Sequence, residues 1–244
     1  MKIIEILGVF IILVLLSSCA VNPVVVQDGQ VVNERTVSSS GNADLKVKPD
    51  QAEIRFGIVT EAGFPDKAQN LNAVATEGVY NILKKYVSKE DISTEGYNLY
   101  QKRHWNHETG EEILDNYELT HTLKVVVKNL DDVGKVLNAI VNEGVNRLQG
   151  VQYTLSDKKE REMKNQALSL ATKNAKEKAE ILVNSLGVSL GEVKTITENS
   201  YSYTPFYERD LVMMESKAMG AVMPAPSPKD VNVMVSVGVV FKIN

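Results

Sequence analysis

Residues 41–58 read GNADLKVKPDQAEIRFGI, and two structural signals lie side by side in them. Gly41 to Asp50 reads as a short strand stopped by Pro49-Asp50, because proline locks φ and the pair favours a turn. From Ala52 the alternation is strict. Ala52, Ile54, Phe56 and Ile58 are apolar, with Glu53, Arg55 and Gly57 between them. A period of two puts the apolar set on one face of a half-buried strand. The period then changes. Ala68, Leu71, Ala75, Val79, Ile82 and Tyr86 recur at helical spacing over 65–86, a stripe suited to lying on a sheet. Pro65 fits the first turn of that helix.

The same two periods organise the rest of the chain. Residues 97–105 and 115–128 pattern as two hairpin strands around the loop His107–Glu111, where Gly110 supplies the positive φ such a loop needs. On the second strand Tyr117, Leu119, His121, Leu123, Val125 and Val127 share a face. Leu130 to Val141 returns to helical spacing and Gly144 stops it. Leu148 to Leu155 reads as a strand. Asp157-Lys158-Lys159-Glu160 then opens a long helix with a capping-box pattern. Met163, Ala167, Leu170, Ala171, Leu182 and Leu186 mark its apolar side, Ala167, Ala171, Ala175 and Ala179 permit close packing, and Gly187 ends it. Val193 to Tyr201 is a weaker strand. Residues 202–229 read as an irregular insertion broken by Pro205, Pro224, Pro226 and Pro228. Val231 to Ile243 closes the chain with its most regular alternation. The order ββαββαβαββ predicts an α+β fold, a mostly antiparallel sheet with helices packed on one face. The portion from Ala52 to Leu155 has the ferredoxin-like order.

With this pattern in view, Ser40 to Ala52 resembles the opening signature of the SIMPL-domain family, ending in "V-x-P-D-x-A" at Val47-Lys48-Pro49-Asp50-Gln51-Ala52. Three further stretches are similar to family motifs, in order: Tyr117 to Val125, Asn129 to Leu137, and Ala175 to Val188. His121 stands where the family usually has asparagine. The likeness runs from Val37 to Ile243, so the reading assigns 36–244 to one SIMPL domain. It implies a bacterial envelope or secreted protein, with links to oxidative-stress defence and to self-assembly in some members. A vertebrate relative is a kinase-binding adaptor. The family has no established catalytic residues, so the resemblance implies none here.

The N-terminus has its own logic. Ile6 to Leu16 is an uncharged apolar run behind Lys2, too short to cross ~30 Å of hydrocarbon and suited to the core of a signal peptide. Leu16-Ser17-Ser18-Cys19 follows and resembles the bacterial lipobox, with Glu5 a mild departure in the basic region. The resemblance implies cleavage of 1–18 and lipid on Cys19, the only cysteine of the chain. Residues 19–35 then read as a flexible tether, with a short strand at Val24–Val26 the alternative. Stable anchoring needs more than one acyl chain, which bacterial lipoproteins carry. Ala20, rather than Asp, after the cysteine implies by analogy the outer membrane, facing the periplasm, in a diderm cell.

A net charge of −4 and a pI near 5.5 leave no basic stripe for nucleic acid. One cysteine excludes a disulfide framework and a cysteine zinc cluster. No phosphate-binding glycine motif and no nucleophile elbow is present, so no cofactor and no enzyme activity are expected. The metal candidates are His104 and His107, three residues apart beside Glu108, Glu111 and Glu112. Tyr203, Phe206, Tyr207, Met213 and Met214 are the candidates for an adhesive surface, since Tyr and Met are favoured at interfaces. The functional expectation is a lipid-anchored, non-catalytic envelope protein. Its partners are the membrane, through Cys19, and a second copy or an unidentified envelope protein. The alternative is a metal-binding or redox-active defence protein using the His104/His107 loop or the methionines of the insertion, whose thioethers suit Cu(I).

Overall fold

The computed structural model describes residues 34–208 and 228–244. Positions 1–18, Cys19, most of the expected tether, and Met213 and Met214 lie outside them. The compact unit Thr36–Asn244 contains two antiparallel sheets. Strands β1 (Thr36–Val47), β8 (Val231–Ile243) and β6 (Leu190–Thr204) form the first, in the order β1-β8-β6. The second has the order β3-β4-β2-β5-β7, from β2 (Gln51–Ala62), β3 (Ile92–Asn106), β4 (Glu111–Val127), β5 (Arg147–Thr154) and β7 (Phe206–Glu208). Helix α1 (Pro65–Leu83) lies on β2 and β4, with α2 (Val133–Asn142) against it; α3 (Asp157–Ser185) lies on β1 and β8. The expected α+β class and antiparallel pairing are present, with the strands shared between two sheets.

The ferredoxin-like portion is visible in the strand order. β4 lies between β2 and β3, which α1 joins, and β2 lies between β4 and β5, which α2 joins. This is the interleaved split βαβ arrangement. Its core holds Ile54, Phe56, Ile58, Leu123, Val125, Val79 and Leu137, all essentially without solvent contact. The alternation of β4 holds as expected, with Leu119, His121, Leu123, Val125 and Val127 buried on the helix side.

Helix rotations differ from the hydrophobic stripes. On α1, Leu71 is exposed and Asn72 is buried. A polar residue is tolerated there because its Nδ2 donates to the Ile58 carbonyl at 2.9 Å. On α3, Leu170, Leu182 and Leu186 are exposed, while Ala167, Ala171, Ala175, Ala179 and Val183 face the sheet. The close approach of β1 explains this. Gly41 sits against the Ala171 carbonyl and the Ala175 amide, a spacing that admits only small residues. The N-cap of α3 is Ser156 rather than a capping box at Asp157, its Oγ accepting from Lys159 N–H at 3.4 Å. Most of 202–208, read as irregular, is strand: Tyr203 pairs with Val233 and Thr204 with Asn232, extending the β6 ladder, and after Pro205 the short β7 joins the second sheet beside β5.

Pro49-Asp50 is the point where the chain leaves one sheet for the other. Asp50 Oδ1 accepts from the Ser156 amide and Oδ2 from the Ser156 hydroxyl, each at 2.7 Å. The Asp50 amide donates to the Thr154 carbonyl at 3.2 Å. One aspartate therefore fastens the β1–β2 turn to the β5–α3 junction.

Candidate functional site

A hydrogen-bonded relay crosses the helix-facing layer of the second sheet. Asn72 Nδ2 is committed to the Ile58 carbonyl, so its Oδ1 accepts from the Thr76 hydroxyl at 3.2 Å. With its proton so directed, Thr76 Oγ1 accepts from His121 Nδ1 at 3.1 Å. Nε2 then accepts from the Thr94 hydroxyl at 2.9 Å. This order assigns the proton of the neutral ring to Nδ1. Four elements are joined: β2 through Ile58, α1 through Asn72 and Thr76, β4 through His121, and β3 through Thr94. Tyr97 meets the imidazole edge-on, with centroids 5.2 Å apart. Burial pushes the His121 pKa below the usual histidine value.

The relay floors an open groove of about 510 Å³ between α1 and β3, walled by Ala73, Tyr80 and Tyr97 and rimmed by Glu77, Lys84 and Lys89. Both ring nitrogens and both threonine hydroxyls are already engaged, which leaves no group poised as a nucleophile and base pair. The arrangement suits holding β3 and α1 in place and offering a shallow amphipathic surface.

β2 ends where Ala62 pairs with Tyr117. Beyond that rung, 102–116 is a two-stranded ribbon whose backbone, among the described residues, pairs only with itself, its base tied to β2 by Lys102 and Asn116, which both donate to the Glu61 carboxylate at 2.7 Å. Six residue steps from Tyr117 to Glu111 carry it about 20 Å past the sheet. The tip is shaped by Asn106, whose Oδ1 accepts from Glu108 N–H at 2.8 Å, and by Gly110 at φ 67°. His104 is paired to Asp115 through Nδ1, across the irregularity at Lys102/Arg103, and His107 lies in the turn. Among the described residues, no three His, Cys, Asp or Glu side chains are gathered as for a metal ion. The ribbon exposes Trp105 at 56%, with Ile113 and Leu114 at 38% and 39%.

The expected adhesive residues divide. Tyr203 is turned inward and its hydroxyl accepts from the Leu155 amide at 2.7 Å. Phe206 stacks on Tyr153 with centroids 6.1 Å apart and touches both cores. Tyr207 is on the surface, its hydroxyl donating to the Gln149 carbonyl at 3.3 Å. Sequence reasoning passed over Asn72, Thr76 and Thr94. The i, i+4 spacing of Asn72 and Thr76, beside Ala68 and Val79 on the sheet-facing side, is the signal that could have found two of them. Among the described residues, no helix is long and apolar enough to cross a membrane.

A family model, SIMPL, described as a protein of unknown function (DUF541), matches residues 37–241. The chain is 28% identical to a 26 kDa periplasmic immunogenic protein of Brucella melitensis, over 91% of this chain and 90% of that one. It is 25% identical to the uncharacterized protein YggE of Edwardsiella ictaluri over 74% of each chain. With YggE of Escherichia coli K12 the identity is 24%, over 80% of this chain and 78% of the relative.

Proposed function

The chain belongs to the SIMPL family, and on that premise we propose that it is a lipid-anchored, non-catalytic protein of the cell envelope that works by binding protein, a second copy included. The observation that carries this reading is the ribbon 102–116. An isolated two-stranded ribbon is marginally stable in water, and exposed aromatic and aliphatic residues on such a projection characterise binding surfaces. The lipobox at Leu16–Cys19 and the name of the Brucella relative, a periplasmic protein, support the place. Engagement of both His121 nitrogens supports a role without catalysis.

Crosslinking in intact cells tests the reading. Cells expressing the tagged chain are treated with an amine-reactive crosslinker, and the captured species are identified by mass. Adducts that contain a second copy or one defined envelope protein are expected, and they should be lost when 102–116 is replaced by a two-residue turn. A chain that stays uncrosslinked under conditions that trap a known envelope complex refutes it.

A further inference from the structure

The first sheet carries an apolar groove that nothing in the described fold fills. Helix α3 covers β1 and β8 and barely reaches β6. Along the first half of β6 the helix-side residues are therefore unroofed, Val193 at 50% and Ile196 at 59% exposure, whereas Tyr201 farther along is hydrogen-bonded to Glu160 of α3. Together with Phe241, Val239, Leu168 and Thr172 they line a groove of about 500 Å³. Lys173 and Lys176 stand on its rim. Among the described residues they pair with Glu177 and Glu180, a turn away on an exposed helix face at 3.8 and 3.7 Å, contacts that hold a lysine weakly.

The ribbon presents the matching chemistry. Arg103 pairs with Leu114 across the ladder, and Trp105 pairs with Glu112. Directly opposed residues share a face, so Trp105, Leu114 and Glu112 point the same way. Glu108, Glu111, Glu112 and Asp115 make the ribbon acidic; of its two permanent cations, Lys102 at the base pairs with Glu61 at 2.7 Å and Arg103 lies 3.5 Å from Glu112. Apolar residues with an acidic fringe on one surface face an apolar groove with a lysine rim on the other.

We propose that the ribbon of one copy seats in the α3–β6 groove of the next, with Trp105 and Leu114 against Val193, Ile196 and Phe241, and Glu112 beside Lys173 and Lys176. The inference rests on the self-binding part of the function above and names its two surfaces. Ribbon and groove are different patches, so the contact is heterologous. It repeats head to tail and builds a ring or a filament according to whether the rotation closes.

Sedimentation velocity on the full chain in mild detergent tests this with Trp105→Glu and Ile196→Glu, both at exposed positions. The wild-type chain should assemble, and each variant alone should associate at least tenfold more weakly. Their mixture should form heterodimers and stop there, because one intact ribbon meets one intact groove. Glu112→Lys should weaken assembly, and Lys173→Glu with Lys176→Glu in the partner copy should restore it. This charge-swapped pair also carries the test if circular dichroism shows Ile196→Glu to be unfolded. Wild-type assembly that neither substitution weakens overturns the ribbon–groove contact and leaves self-binding standing. Two monomeric variants whose mixture stays monomeric overturn it as well. A wild-type chain that is monomeric at all concentrations overturns both.

Discussion

Replacing Gly41 by alanine is the most direct test of how the first sheet and α3 are joined. A Cβ built on Gly41 would lie 1.8 Å from the Ala171 carbonyl oxygen, 2.5 Å from the Ala175 nitrogen and 2.9 Å from the Ala171 carbonyl carbon. All three are backbone atoms of a helix, so no rotamer change relieves the clash. Real Cβ contacts stay beyond 3.0 Å, so strand and helix must separate by about 1.2 Å, the difference between the two distances, in a region packed to crystal-like density. Gly41 is not one of the described glycines with a positive φ, so the effect is steric and not conformational. The separation lifts the Ala167–Ala179 stripe from Val233, Val235, Val237 and Val239. Overpacking costs about 1–3 kcal/mol, and a backbone clash belongs at the upper end, about 3 kcal/mol. At roughly 2–4 °C per kcal/mol for a domain of this size, Gly41→Ala should lower Tm by about 6–12 °C. Differential scanning calorimetry reads this directly. Gly63→Ala is the control, since nothing lies within 4 Å of a Cβ there; it should leave Tm within about 2 °C. If Gly41→Ala melts with the control, the close approach of β1 to α3 is wrong.

Asp50→Ala should destabilise by about 2 kcal/mol, because it leaves the Ser156 amide at the start of α3 without its carboxylate. Ser156→Ala in the same chain should add less than its separate cost, as urea midpoints of the double-mutant cycle would show; strict additivity would count against the clasp. For His121 the unfolded ring protonates near 6.5 and the folded ring only at lower pH, because burial disfavours the charged form. Its contribution is therefore complete above pH 6.5 and is lost as pH falls from there through the folded value. Urea midpoints measured downward from pH 7.5 should fall below 6.5, less steeply in His121→Asn, and identical slopes in the two proteins would contradict the relay. Cys19→Ala should abolish incorporation of labelled palmitate while leaving the circular dichroism of the domain unchanged, and a variant that still takes up label would refute the lipobox reading.

The strands were legible because burial on one face imposes a period of two that survives in the letters: Ala52 to Ile58, Leu119 to Val127 and Val231 to Phe241 are oriented as the alternation requires. The helix faces were less legible, for two reasons. On α1 a hydrophobic stripe favours Leu71 over Asn72, yet the Ile58 carbonyl offers Asn72 a partner that periodicity cannot register. On α3 leucine outranks alanine by hydrophobicity, yet a glycine more than a hundred residues earlier sets how near the helix lies. The division into two sheets is likewise non-local, since β8 must find β1 across most of the chain before the first sheet closes. Of the candidate residues, His104 and His107 were placed correctly beside a hairpin turn, and their ribbon drew attention for its ligands instead of its exposed Trp105. The rotation of α3 has a further consequence. By turning its alanines to β1 and β8, the helix stays close over two strands and stops short of the third, which leaves Val193 and Ile196 open. The same small residues that make the interior tight thus create the groove on the surface, so a substitution that lifts α3, such as Gly41→Ala, should also widen the α3–β6 groove and weaken self-association in step with the loss of Tm.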